Sequence, residues 1–372
     1  MTPTESRDPI GAEQAGRGLQ RRHLLKLTGA AVATGTLAAA GGTAAHAEAE
    51  AEPQWNNQWD KTFPRSKDVD HQKVSFKNRY GIELVADRYS PKGLRGRARA
   101  LVVGHPFGGV KEQTSGLYAQ TMAEHGFVTL AFDASYNGES GGTPRNIASL
   151  EAFVEDFSAA VDYLGTRRDI DRDRIGVIGV CASGGFSLAA AQVDPRLKAV
   201  ATVSMYDMGR AYRDGLGYAP ISGEVNTISE RHKALAEAAE QRWTEFAGGD
   251  VRYGAGDAVP LKPSQQAAAD EFAKYYTTPR GQHPRSHPLS LTSLGAITAF
   301  MPLAQVELTA PRPLLLVAGE KAHSRYYTED AYQRAPEPKD LHIVPGAGHV
   351  DLYDRTDLIP WDRLATFFDE HL

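Results

Sequence analysis

The chain has 372 residues, enough for one large α/β domain with an insertion or for two domains. Its 41% hydrophobic and 23% charged content is that of an ordinary globular protein, and a net charge of −5 gives no basis for nucleic-acid binding. A single cysteine, Cys181, excludes an intrachain disulfide framework and any cysteine-rich zinc or iron–sulfur site.

Residues 1–20 are polar, and Arg21 and Arg22 open "RRHLLKL", followed by a weakly apolar Ala/Gly/Thr stretch and "AHA" at 45–47. A basic segment, an apolar segment and a small-residue cleavage site in that order read as a signal peptide over 1–47. The paired arginines point to twin-arginine (Tat) export and an extracellular or periplasmic destination. The apolar part is short and glycine-rich for an anchor, so the mature form is expected to have no membrane partner. Residues 48–69, with Trp55, Trp59 and Phe63 among polar neighbours, read as an arm or linker, and a single domain is expected over 70–372.

"KVSFKNRYGIELVADRYSP" (73–91) alternates about Asn78–Gly81 and predicts a β-hairpin. "RALVVGHP" (99–106), "FVTLAFD" (127–133), "RIGVIGV" (174–180), "LKAVATVS" (197–204), "PLLLVAG" (313–319) and "LHIVP" (341–345) are short and nearly continuously apolar. Such runs suit strands of a parallel sheet buried on both faces. Helices are predicted over 115–126, from about Leu150 to Leu164, at "FSLAAAQ" and at the C-terminus. Strand–helix alternation behind a hairpin implies a doubly wound, mostly parallel sheet. A segment of about 209–308 carries helix-like stretches but no strong strand, and a long excursion between core strands is usually functional, such as a cap.

"GVCASGG" (179–185) joins a strand to a helix through small residues. That is the pattern of a nucleophile elbow, in which one side chain stands over the sheet edge on a strained backbone. Cys181 falls at the nucleophile position, and Ser183 is the rival hydroxyl, one turn into the helix. The amide of Ala182 at the helix N-terminus and that of Phe107 in "HPFGGVKEQ" (105–113) are the candidate oxyanion donors. His349, in "VPGAGHVDLYDR", follows the last strand where a base would reach the elbow. Two carboxylates could orient it: Glu320 directly after "LLLVAG", which is favoured, and Asp207 after the preceding strand. Asp351 and Asp354 read as loop hydrogen-bonding groups. His283 and His287 are separated by Pro284 in a proline-broken stretch and do not read as a metal site.

In order, "GHPFGG", "GVCASGG", "AGEKAHSRYY" and "GAGHVDLYD" resemble an α/β-hydrolase from about residue 70 to the end. The cysteine elbow resembles dienelactone hydrolases. The whole set resembles hydrolases of the Xaa-Pro-peptidase-like group, whose arrangement fungal polyketide transferases and thiohydrolases share. The resemblance implies acyl transfer to water on a small-molecule ester, lactone or thioester, without cofactor or metal. Ser183 stands where the family has glycine, and no aspartate follows the "LLLVAG" strand. The alternatives are a serine-type esterase or peptidase built on Ser183, and a non-catalytic binding protein with an inert thiol.

Overall fold

The computed structural model describes residues 58–217 and 219–372. The leader expected at 1–47 lies outside these residues, as does the first part of the arm. In chain order the elements are β1 (Val69–Lys77), β2 (Glu83–Pro91), β3 (Ala98–Gly104), α1 (Thr114–Glu124), β4 (Val128–Phe132), α2 (Leu150–Gly165), β5 (Ile170–Val180), α3 (Ala182–Val193) and β6 (Leu197–Val203). A helical insertion follows: α4 (Met208–Asp214), α5 (Ala219–Ser222), α6 (Ile228–Phe246), α7 (Pro263–Tyr276), α8 (Leu294–Ala299) and two short 3-10 turns. The chain closes with β7 (Leu314–Gly319), α9 (Arg325–Arg334), β8 (Lys339–Val344), α10 (Asp351–Asp354) and α11 (Trp361–His371).

The eight strands form one sheet in the order β1-β2-β4-β3-β5-β6-β7-β8. β1 and β2 are an antiparallel hairpin, with Phe76 opposite Leu84, and β2 is antiparallel to β4; every other pair is parallel. Most strands that read as continuous apolar runs are buried interior: β4 and β7 are buried at every position and β3 and β6 at all but one, whereas β8, which read the same way, lies at the sheet edge and is half-buried except at Val344. Both faces are covered. Alternation puts Leu101 and Gly104 of β3 on opposite faces. The space above Gly104 is filled by Phe157 of α2, while Leu101 and Phe368 of α11 both crowd Gly176.

Register sets the site. Gly104 pairs with Gly179 and Val180 with Val203, so the loops after β3, β5 and β6 leave the sheet side by side. Gly319 pairs with Val344, which brings the loops after β7 and β8 to the same edge. The carboxyl edge of a parallel sheet is where such folds place ligands. The described end of the arm is tied down: Trp59 Nε1 donates to the Phe63 carbonyl at 2.7 Å, and Lys61 pairs with buried Asp87 at 2.7 Å.

Candidate active site

Cys181 connects β5 to α3 with φ 57° and ψ −120°, a conformation that costs an L-residue about 1–3 kcal/mol. The surroundings hold it there. Its amide donates to the Val203 carbonyl, and its own carbonyl accepts from the amides of Gly184 and Tyr206, each at 2.9 Å. The small neighbours are required: a Cβ on Gly184 would sit 2.5 Å from that of Met205, and one on Gly179 would overlap the Ser183 carbonyl.

The Tyr353 hydroxyl and the backbone amides of Ala182 and Phe107 act on the thiol as hydrogen-bonding groups that lower its pKa. Both amides expected of an oxyanion site thus converge on the sulfur. The first also belongs to the positive end of α3. Burial pushes the Cys181 thiol up to about 11, and those three hydrogen bonds only partly oppose it. The resting group is therefore a neutral thiol. Ser183 lies in the first turn of α3, buried, with its hydroxyl donated to the His105 carbonyl at 2.5 Å. It faces a small crevice with His105, Phe153 and Phe157 rather than the cavity beside Cys181.

His349 leaves the Gly-rich turn after β8 fully buried, and its carbonyl accepts from the Ser204 hydroxyl at 3.2 Å. Nε2 lies 2.9 Å from the Tyr353 hydroxyl and Nδ1 lies 2.6 Å from the Ser324 hydroxyl. Its ring stacks on His323 with centroids 4.6 Å apart, and Phe272 meets it edge-on at 5.1 Å. Burial first, and His323 second, hold the His349 pKa well below its ordinary 6.5, so the ring is a neutral base at physiological pH.

The orienting carboxylate is where sequence and structure differ. Glu320 is exposed and accepts from the Gly346 amide at 2.8 Å. Asp207 caps α4, accepting from the Arg210 amide at 2.9 Å. Neither meets His349; the position facing Nδ1 is filled by Ser324, on the loop after β7. The physical reason is the chain direction. The loop that follows β7 turns the Glu320 side chain out to solvent and carries Ala322, His323 and Ser324, all buried, inward. A carboxylate from the insertion lies beside this histidine pair. Glu271 on α7 accepts from the amides of Val350, at 3.1 Å, and His349, and lies 3.5 Å from His323 Nε2. Burial raises the Glu271 pKa above its ordinary value.

The thiol opens into a cavity of about 270 Å³ between sheet edge and insertion. Met208, Leu216, Val259, Leu261 and Leu294 supply apolar walls, with Asn226 and Gln265 as amides and no Asp, Glu, Lys or Arg lining it among the described residues. A second space of about 420 Å³ adjoins it across Phe107, Tyr212 and Tyr276, and His287 lines its far side. Tyr276 lines both spaces while its neighbour Tyr275 is buried and bonded to Thr114 at 3.0 Å.

Glu112, Asp133 and Glu139 form a metal-like trio outside the cavity. All three oxygens already bind the buried Lys111 ammonium, at 2.6, 2.8 and 2.5 Å. The chain's own cation occupies that centre. Asp351 and Asp354 accept from the Gly348 amide and from Arg280 respectively, as loop groups do.

Residues 85–212, which carry the hairpin's second strand, the Phe107 loop and the whole elbow, match the dienelactone hydrolase family. The uncharacterized protein PA2218 of Pseudomonas aeruginosa is 51% identical over 86% of this chain and 85% of its own length. Its crystal structure superposes with a TM-score of 0.79, covering 86% of this chain and 99% of that one. The chain is an α/β-hydrolase of the dienelactone hydrolase family. The uncharacterized protein YcjY of Escherichia coli is 39% identical over 81% of this hydrolase and 99% of its own length. The α/β-hydrolase GrgF from a Penicillium species has the same fold, with a TM-score of 0.69 at 22% identity over 81% of this hydrolase and 99% of that chain.

Several residues of the hydrolase site carry little or no signal in the sequence. Ser324 and His323 lie inside the quoted "AHSRYY", but their inward turn depends on the loop after β7. Tyr353 stands four residues after His349, which lies in the turn that leads into α10, a readable spacing. Glu271 and Phe272 come from the insertion, far away in sequence.

Proposed function

We propose that this hydrolase cleaves or transfers the acyl group of a neutral, largely apolar ester or thioester through a covalent intermediate on Cys181. The reading is carried by one observation: the thiol stands at a strained elbow beside an apolar cavity, where the amides of Phe107 and Ala182 act on its sulfur to lower its pKa. Two amides aimed at one point stabilise the oxyanion that forms when a carbonyl is attacked there. The GrgF relative is named a polyketide transferase, which accords with acyl transfer.

Cys181 rests as a thiol, so its proton has to leave as sulfur attacks the carbonyl carbon. Neutral His349 is the receiving base. For Nε2 to accept, Nδ1 carries the ring proton and donates it to Ser324 Oγ. The tetrahedral oxyanion is held by the two amides and collapses to the acyl-cysteine, expelling an alcohol or thiol that takes the proton back from His349. Water then attacks with the same base. A thiolate is itself a good leaving group, which favours activated acyl donors over peptide bonds. A substrate carboxylate would find no cation among the residues lining the cavity, and burying it unpaired is costly. This selects neutral acyl chains. The leader over 1–47 makes the cell envelope or exterior the proposed place of action.

The test is hydrolysis of p-nitrophenyl esters and acyl thioesters of graded chain length by the wild type and by Cys181→Ala, His349→Ala and Ser183→Ala. Loss in the first two and retention in the third is expected. Full activity in Cys181→Ala would discard the assignment, and loss confined to Ser183→Ala would transfer it to the serine.

A further inference from the structure

Both ends of the proton transfer meet the same phenol. Tyr353 Oη lies 2.9 Å from His349 Nε2, and Tyr353 lines the same cavity as Cys181, where its hydroxyl acts to lower the thiol pKa. The base nitrogen therefore faces a hydroxyl, and the hydroxyl faces the sulfur.

Tyr353 is held in this position. It is fully buried, its ring meets Tyr275 edge-on with centroids 5.0 Å apart, and it lies 5.3 Å from the His349 ring. The carbonyl of the preceding residue, Leu352, accepts from the Tyr118 hydroxyl at 2.7 Å, which pins α10 to α1. Tyr276 closes Tyr353 in from the insertion side, with ring centroids 6.4 Å apart. A ring caged in this way cannot swing aside without moving α10 or α7. With Nδ1 donating to Ser324 Oγ, the Nε2 lone pair points at the phenol, which completes the line.

We propose that Tyr353 is a catalytic residue of the acyl transfer, its hydroxyl carrying the proton between Cys181 and His349. This rests on the assignment of Cys181 as nucleophile and His349 as base. As the sulfur–carbon bond forms, the thiol proton moves to Tyr353 Oη and the phenol's own proton moves to His349 Nε2. The carbonyl π pair becomes the oxyanion, and Tyr353 ends the step neutral. On collapse the bond to the leaving oxygen or sulfur breaks, and the imidazolium proton returns through the same hydroxyl to that atom. Deacylation repeats the cycle with water in place of the thiol. The two transfers are concerted, since burial disfavours a free phenolate.

The decisive variant is Tyr353→Phe, which removes the hydroxyl and keeps the ring. Single-turnover acylation by a p-nitrophenyl ester is expected to slow by about 100-fold or more, with KM little changed. Unaltered or faster acylation in Tyr353→Phe would overturn the relay and leave His349 to take the proton directly. The proton inventory of the unaltered protein in H2O–D2O mixtures is a second readout that needs no variant. A curved inventory, with two protons in flight, is expected, and a linear one overturns the relay. Cys181→Ala, run alongside, separates the two claims. Retained acylation there sinks the nucleophile assignment itself, whereas loss there with normal Tyr353→Phe sinks the relay alone.

Discussion

Alkylation of Cys181 by iodoacetamide as a function of pH probes the resting state of the nucleophile. Burial places the thiol at about 11, against an ordinary 9.0. At neutral pH about one thiol in 10⁴ is then ionised, where an ordinary cysteine would have about one in 100. Only the thiolate reacts, so the difference alone makes alkylation about 100-fold slower than for a free cysteine. The rate should climb about tenfold for each pH unit and show no plateau until about pH 11. The cage of Tyr353, Tyr276 and Phe107 slows it further. The assay is quantitative mass spectrometry of the labelled peptide with a denatured control, convenient because the chain has one cysteine. Fast labelling that is already flat in the mildly acid range would refute the reasoning. It would mean a preformed thiolate–imidazolium pair, and that neither burial nor Tyr353 sets the resting state.

The strain at the elbow has its own signature: Cys181→Gly should be more stable than Cys181→Ala by about 1 kcal/mol in urea unfolding, reversing the usual order, because only glycine accepts φ 57° without cost. Lys111→Met should lower stability by about 3–5 kcal/mol in the same assay, since it leaves Asp133 buried without its cation and Glu112 with Arg285 alone. In kcat/KM against pH, the acid limb reports protonation of His349. Because its pKa is held down, activity should persist well below pH 6.5 rather than fall there, and a midpoint at or above 6.5 would contradict the assigned burial effect. Ser183→Ala should cost about 1 kcal/mol of stability for the lost bond to His105 and keep its acyl-transfer activity in the ester assay.

The frame of the molecule was legible because burial on both faces writes a plain pattern. β4 and β7 are buried without a break, while β2 of the hairpin, paired on both edges, is buried at four consecutive positions, Leu84 to Asp87. α9 escaped notice because its polar "RYYTEDAYQR" buries little beyond Tyr327, Thr328 and Ala331. The sheet edge itself could be read through: Cys181, Phe107, Ala182 and His349 each follow a recognisable strand. What failed was the partner of His349. Glu320 follows β7 in sequence, but which side chain turns inward depends on the loop's path, and that path brings Ser324 to the ring. The contacts of Glu271, Phe272 and Tyr276 depend on how the insertion folds back over the sheet, where a linear pattern carries no register.

The central claim is a covalent acyl group on Cys181. Its direct measurement is intact-protein mass spectrometry of the enzyme quenched during turnover of a slow acyl thioester, followed by peptide mapping. A single acyl adduct on the peptide containing Cys181, absent from Cys181→Ala and accumulating in His349→Ala only at a greatly reduced rate, is expected. Turnover with the acyl group mapped to Ser183, or with no adduct on the elbow at all, would contradict the account.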